Sequence, residues 1–217
     1  MIPPRNNLSL TRREAIVGAA AAVAAAPRAW ARVQSGLAGA ASPAVDRTLL
    51  HRALTALARH SSRIWSRDVI GIADFGLPSA VPRFHIIDIL AGTTTSLRVA
   101  HGRGSDPAHS GMLQSFSDLP GSAATSEGAY LTGPEYIGIH GLSRRLAGLD
   151  PTNAHTEERA IVIHSAWYAD AAVAERQGKL GRSDGCFAFA QADIALVLAR
   201  LRMGRLIYAG RSGAARA

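Results

Sequence analysis

The stretch that decides the reading runs from Ile161 to Phe187: IVIHSAWY at 161–168, then GRSDGCF at 181–187. The first segment opens on a β-branched apolar run, the pattern of a buried strand, and delivers His164 at the strand end. The second is a glycine-flanked loop carrying Cys186, the only cysteine in the chain. A loop thiol and a strand-end imidazole are the parts of a nucleophilic site, because the thiolate attacks and a base must first take its proton. Glycine lets neighbouring amides converge, so the N–H groups of Gly185 and Cys186 are candidates to bind the oxygen of a tetrahedral intermediate. Arg182 supplies positive charge that would lower the thiol pKa or hold a substrate carboxylate. Asp184 acts the other way if it faces sulfur, or serves only as a turn aspartate bonded to its own backbone.

Working outward, short strands dominate. Asp68 to Phe75 reads as a strand, and residues 83–100 read as a β-hairpin about the turn Ala91-Gly92-Thr93. Residues 101–127 are rich in Gly, Ser, Asp and Pro without periodicity; irregular segments of this length are commonly functional, so this one is expected to flank the site. Gly128 to Leu131 and Tyr136 to Ile139 read as two short strands around Thr132-Gly133-Pro134, and 142–158 as a polar loop. Ala160 to Ile163 is a strand, and Arg205 to Tyr208 another. Leu49, Leu50, Ala53, Leu54 and Leu57 recur at helical spacing behind Asp46, predicting a helix over about 46–60. Ile194, Val197, Leu198 and Leu201 form one face of a second helix, from about Gln191 to Gly204. The fold class is therefore mainly β, a sandwich or curled barrel with one N-terminal and one C-terminal helix.

The N-terminus reads as an export signal. Arg12 and Arg13 stand just before an apolar run, Ala15 to Ala26, and Ala29-Trp30-Ala31 offers small residues for a signal peptidase. That is the plan of a twin-arginine signal over 1–31, too short and too weakly apolar to anchor in a bilayer. Residues 32–44 read as a linker, 45–64 as the N-terminal helical segment and 65–211 as one domain. This predicts a periplasmic or otherwise extracytoplasmic protein without stable membrane insertion after processing. Outside the cell a lone thiol has no internal disulfide partner, which favours chemistry for Cys186. The formal charge of +8 falls to +5 without the signal, and it is scattered arginine rather than a run. With no nucleic-acid motif present, a solvated surface is the reading and no nucleic-acid partner is expected.

Taken together, His164-Ser165-Ala166-Trp167 and Ser183-Asp184-Gly185-Cys186 resemble the L,D-transpeptidase (YkuD-like) catalytic domain, whose motif is a histidine, a spacer, then Ser/Thr-His-Gly-Cys. The second motif histidine is Asp184 here, and the asparagine or arginine often found two residues after the cysteine is Ala188. The gap from His164 to Cys186 is also a little longer than in most members. A divergent branch of the family replaces that second histidine and keeps the longer gap, and resembles this chain also at His101-Gly102-Arg103-Gly104-Ser105, Gly121-Ser122 and His140-Gly141-Leu142-Ser143. The resemblance covers about 65–210. It implies an exported cysteine acyltransferase acting on peptidoglycan stem peptides, with Cys186 as nucleophile, His164 as base oriented by the Ser165 carbonyl, and Gly185 in the oxyanion site. Arg182, Ser183, Ser165, His140 and Trp167 are the expected substrate contacts, and no cofactor or metal is implied. Two rivals remain. One is a wall-binding protein of the same fold that turns over weakly or not at all. The other is a zinc-dependent peptidoglycan hydrolase using His101, His140 and His164, although their spacing matches no compact metal motif.

Overall fold

The computed structural model describes residues 45–213; the signal at 1–31 and the linker at 32–44 lie outside them. Eight strands form a single sheet among the described residues: β1 (Val69–Asp74), β2 (Phe84–Asp88), β3 (Thr93–Leu97), β4 (Gly128–Gly138), β5 (Gly141–Gly148), β6 (Val162–Ser165), β7 (Phe187–Phe189) and β8 (Leu206–Gly210). Their order is β3-β2-β1-β8-β4-β5-β6-β7. The sandwich alternative is thereby set aside. The segment after β3 bridges Ala100 to Ala188 in β7, drawing the two edges together, so the one sheet curls on itself.

The interior is filled from one face by Ala73, Phe84, Ile86, Ile163, Phe187, Phe189 and Ile207. Closing it is helix α3 (Ile194–Arg200), which contributes Ile194, Val197 and Leu198. Helix α1 (Arg47–Arg59) lies on the outer face, where Leu49, Leu50, Ala53 and Leu57 meet Ile70, Ile72, Ile87, Leu206 and Tyr208. Its start is set by Asp46, whose Oδ1 accepts from the Leu49 amide at 2.8 Å. Each fully buried leucine contributes roughly 1.5–3 kcal/mol, so this face suffices to dock the helix. Apolar material on both sides explains why β1 reads VIGIAD without alternation.

The predicted helix at 46–60, the strand at 68–75 and the hairpin at 83–100 all form, within a few residues of their expected ends. Three readings are corrected. The two short strands expected around Thr132-Gly133-Pro134 are one strand, β4, bulged between Thr132 and Glu135. Proline has no amide to donate to the ladder, and Arg144 Nη1 takes the Gly133 carbonyl at 2.7 Å. The expected polar loop after Gly141 begins instead with β5. Its polarity misled because Arg144 points inward to serve that bulge, also reaching Glu135 and the Leu198 carbonyl. A third helix, α2 (Ala171–Gln177), follows Asp170; its alanines carry no strong periodic signal.

Candidate active site

Strands β6 and β7 run parallel with Ile163 opposite Phe187 and His164 opposite Ala188. One step back on the same register sets Cys186 level with Val162. Side chains alternate between faces of a strand. Ile163, Phe187 and Phe189 therefore enter the core, while Val162, His164, Cys186 and Ala188 share the other face. The 2.0 period thus brings the histidine and the thiol, far apart in sequence, onto one surface.

His164 is buried, and its Nδ1 lies 2.9 Å from the Ser165 carbonyl oxygen. That contact makes Nδ1 the protonated nitrogen and leaves the lone pair on Nε2. The His140 ring stacks on it, centroids 4.1 Å apart and 21° from parallel. His140 comes from the two-residue turn of the β4–β5 hairpin, in which Gly138 pairs with Gly141. Ser165 Oγ donates to the His140 carbonyl at 3.4 Å, closing this small assembly. Burial pushes the His164 pKa below the usual histidine range; the Ser165 carbonyl opposes that, and the neighbouring His140 adds to it.

Cys186 is half-buried, and its Sγ lies 3.7 Å from the Ala160 carbonyl oxygen. Ala160 precedes β6, so this contact places sulfur near the start of that strand. Burial raises the thiol pKa; the Val162 backbone and Arg159 favour the thiolate, and Asp184 disfavours it. Asp184 is tethered outward by Arg103, whose Nε lies 2.8 Å from its Oδ1 in an exposed ion pair. Tyr168 also faces this centre: burial, Cys186 and Asp184 together push its phenol up to about 12.

The loop before the thiol is held by its own residues. Ser183 Oγ donates to the Cys186 carbonyl at 2.7 Å and accepts from the Gly185 amide at 3.2 Å. Ser183 is buried and clamps the loop, and the Gly185 amide is engaged by its hydroxyl. Arg182 is likewise diverted, donating to the carbonyls of Asp106 and Pro107. Gly185 has φ +116°, and a Cβ there would stand 2.6 Å from the Ala124 carbonyl oxygen, so no other residue fits the turn. Trp167 is 73% exposed, beside Tyr168, free to meet a ligand.

The long segment flanks the loop, as its length predicted. Gly102 bridges to Ser183 at one end. At the other, Thr125 Oγ1 accepts from the Gly102 amide at 2.9 Å and lies 3.3 Å from the Gly185 carbonyl, to which it donates. Position 188 also finds its reason. Ala188 is fully buried against Ala100, Ala169 and Leu180, where a longer polar side chain has no room.

His101 does not join the other two histidines. It is buried with Nδ1 at 2.6 Å from Arg83 Nη2, a donor, so the ring proton sits on Nε2, 3.5 Å from Asp106 Oδ2. Arg83 itself donates to the Val99 and Leu77 carbonyls and lies 5.0 Å above the Phe75 ring. Burial and the adjacent guanidinium push His101 down to about 3. Among the described residues no group of three or more His, Cys, Asp or Glu side chains is placed to hold a metal ion. Sequence reasoning missed Arg159, whose buried guanidinium donates to the Ser117 and Ala124 carbonyls and to Ser126 Oγ beside the thiol loop. Its position in a run of polar residues offered no signal.

Among curated proteins, none matches the sequence. Solved structures that this chain partly matches include an L,D-transpeptidase from Mycobacterium tuberculosis H37Rv, 14% identical, TM-score 0.43, covering 66% of this chain and 58% of that one. An L,D-transpeptidase from Mycobacterium smegmatis is also 14% identical, TM-score 0.41, covering 66% and 58%. One from Xylanimonas cellulosilytica DSM 15894 is 10% identical, TM-score 0.41, covering 67% and 61%. The chain thus spans about six-tenths of the length of the proteins it matches. The family model of the L,D-transpeptidase catalytic domain matches residues 41–209, which include α1 as well as the whole sheet up to β8. The chain belongs to the L,D-transpeptidase catalytic domain family.

Proposed function

We propose that this protein is an exported cysteine L,D-transpeptidase that acts on peptidoglycan stem peptides. The observation that carries the reading is the His164 imidazole, whose Nδ1 is tied to the Ser165 carbonyl while Nε2 keeps its lone pair on the face shared with Cys186. A lowered histidine pKa and a raised thiol pKa describe a neutral pair, so proton transfer accompanies attack rather than preceding it. Rotation of Sγ from the Ala160 carbonyl toward His164 opens the reaction. Sγ bonds to the carbonyl carbon of a diamino-acid residue in a tetrapeptide stem as Nε2 takes the thiol proton.

The carbonyl oxygen becomes an oxyanion, for which the amides of Cys186 and Asp184 are the proposed donors, since that of Gly185 is engaged. On collapse the C–N bond breaks, the proton on Nε2 passes to the leaving D-alanine amine, and a thioester remains. A side-chain amine of a second stem then attacks the thioester and forms a cross-link; water in its place gives carboxypeptidase activity. His140, Ser165 and the exposed Trp167 form the rim on which the stem would lie. Delivery to the wall would rest on the twin-arginine signal over 1–31, and no helix among the described residues is long and apolar enough to cross a membrane.

The test is incubation of the purified protein with tetrapeptide muropeptides, followed by mass spectrometry of cross-linked dimers and released D-alanine, with Cys186→Ala in parallel. Product from the wild type alone supports the reading, and product surviving Cys186→Ala sinks it. A second reading, wall binding without turnover, is favoured by the sulfur rotamer, which faces Ala160, and by Asp184 beside it. Saturable binding of muropeptides without product would select that reading.

A further inference from the structure

The electrostatics around Cys186 are lopsided. On its own loop the nearest charge is Asp184, an anion, and Arg182 is turned to the carbonyls of Asp106 and Pro107. From β6 comes His164, from the β4–β5 turn its stacked partner His140, from the turn after β6 the Tyr168 phenol, and from the segment after β3 Arg103, which is engaged with Asp184. Ala188, next on the same face of β7, carries no charge. One buried cation faces the thiol, and it arrives from the residue just before Ala160.

Arg159 has only 4% of its side chain exposed. Its Nη2 lies 3.0 Å from where a Cβ on Gly185 would stand, so the guanidinium packs directly on the backbone before the nucleophile. Nη1 donates to the Ser117 carbonyl and Ser126 Oγ at 2.9 and 2.8 Å, and Nη2 to the Ala124 carbonyl, which fixes the planar head against the loop end that also holds Gly185 through Thr125. The chain then turns through Ala160 at φ +51°, a conformation costly for alanine, and this turn presents the Ala160 carbonyl to Sγ. The counter-charge Asp118 lies 3.5 Å away, but its two oxygens are shared with Ser126 and His155.

We propose that Arg159 is a positioning residue for Cys186: it holds Gly185 and Ala160 around sulfur and supplies the cation that supports the thiolate in a site whose own loop offers an anion. The mechanistic consequence rests on the transpeptidase reading above, but the electrostatic claim concerns the thiol alone and is measured without a wall substrate. The probe is iodoacetamide, with alkylation of Cys186 followed across pH in the wild type and in Arg159→Met, Arg159→Lys and Asp184→Asn.

Loss of the charge in Arg159→Met is expected to slow alkylation at neutral pH by about three- to tenfold and move its pH midpoint upward, while Arg159→Lys stays nearer the wild type. Asp184→Asn is expected to move the midpoint downward. A purely structural role for Arg159 would lower the unfolding temperature without moving the midpoint, and that result in a folded Arg159→Met overturns the proposal. If Arg159→Met does not fold by circular dichroism, Asp118→Asn decides instead: removing the counter-charge is expected to lower the midpoint, and an unmoved midpoint overturns the proposal. Absence of turnover in a wild type with the expected alkylation series would refute the enzymatic reading while leaving the role of Arg159 standing.

Discussion

His101 and His164 start alike, each at the end of a short apolar run beside a residue of the nucleophile loop, and the fold gives them opposite roles. His101 is committed on one ring nitrogen to Arg83 and points the other toward Asp106, inside the protein. His164 is tied on one nitrogen only, by the carbonyl of the next residue, and faces the thiol's side of the sheet with the other. Both are depressed chiefly by burial, yet only His164 retains a lone pair where a reactant can reach it. The contrast teaches that a perturbed histidine marks chemistry when one nitrogen is oriented and the other left open. It marks architecture when one nitrogen is committed to a buried cation and the other is shut inside the protein.

The largest expected effect tests the open side of this contrast. Replacing Cys186 with alanine should remove iodoacetamide incorporation altogether and reduce turnover at least about 10³-fold, with little change in unfolding temperature. Next, His164→Gln should lower kcat by about 10²- to 10⁴-fold while leaving stability nearly unchanged, since the lost function is general-base catalysis. His101→Ala should do the reverse. Removing the acceptor strands the buried Arg83 donor and opens a cavity, so urea denaturation should show a loss of about 2–4 kcal/mol. A stability loss confined to His164→Gln and a kcat loss confined to His101→Ala would invert the comparison.

Acid should separate the two histidines as well. His101 has its folded pKa near 3 against an ordinary value of 6.5, so between these the unfolded chain binds the proton and the native state does not. Stability is therefore full above about pH 6.5 and falls as pH drops toward 3, by up to roughly 4–5 kcal/mol if this group acts alone. Urea midpoints measured from pH 7 to pH 4 should decline accordingly, and the decline should flatten in a folded His101→Gln. The smallest effect concerns His140. Its ring disfavours charge on His164, so His140→Ala should shift the acid limb of kcat upward in pH without abolishing turnover. A limb that moves downward or stays fixed would dissociate the stacked pair.

The site was legible in part. Cys186 could be singled out because it is the lone thiol of a glycine-rich loop, and His164 because a β-branched run ends on it. The loop's internal bonds were not legible. Serine, glycine and arginine at 182–185 carry the same letters whether they face a substrate or one another, and in this fold Ser183 Oγ and Gly185 N–H satisfy each other while Arg182 turns to the Asp106 carbonyl. Of the fold, β5 was hidden because Arg144 breaks the apolar alternation in order to serve a proline bulge on a strand seen only in three dimensions.

What sequence alone determined was local: the cap of α1 at Asp46, the hairpin of β2 and β3, the continuous apolar strands at 69–74 and 161–163, and the presence of a single thiol with a candidate base. Those follow from periodicity, turn chemistry and side-chain inventory, which act over a few residues. Only the tertiary structure decided that β6 and β7 lie parallel, so that His164 and Cys186 share a face, and that His140 stacks on the His164 ring. Only it decided that Ala188 is sealed by Ala100 and that the cation beside the thiol comes from Arg159. Register between strands and the burial of an isolated charge depend on contacts across the whole sheet, and no local pattern encodes them.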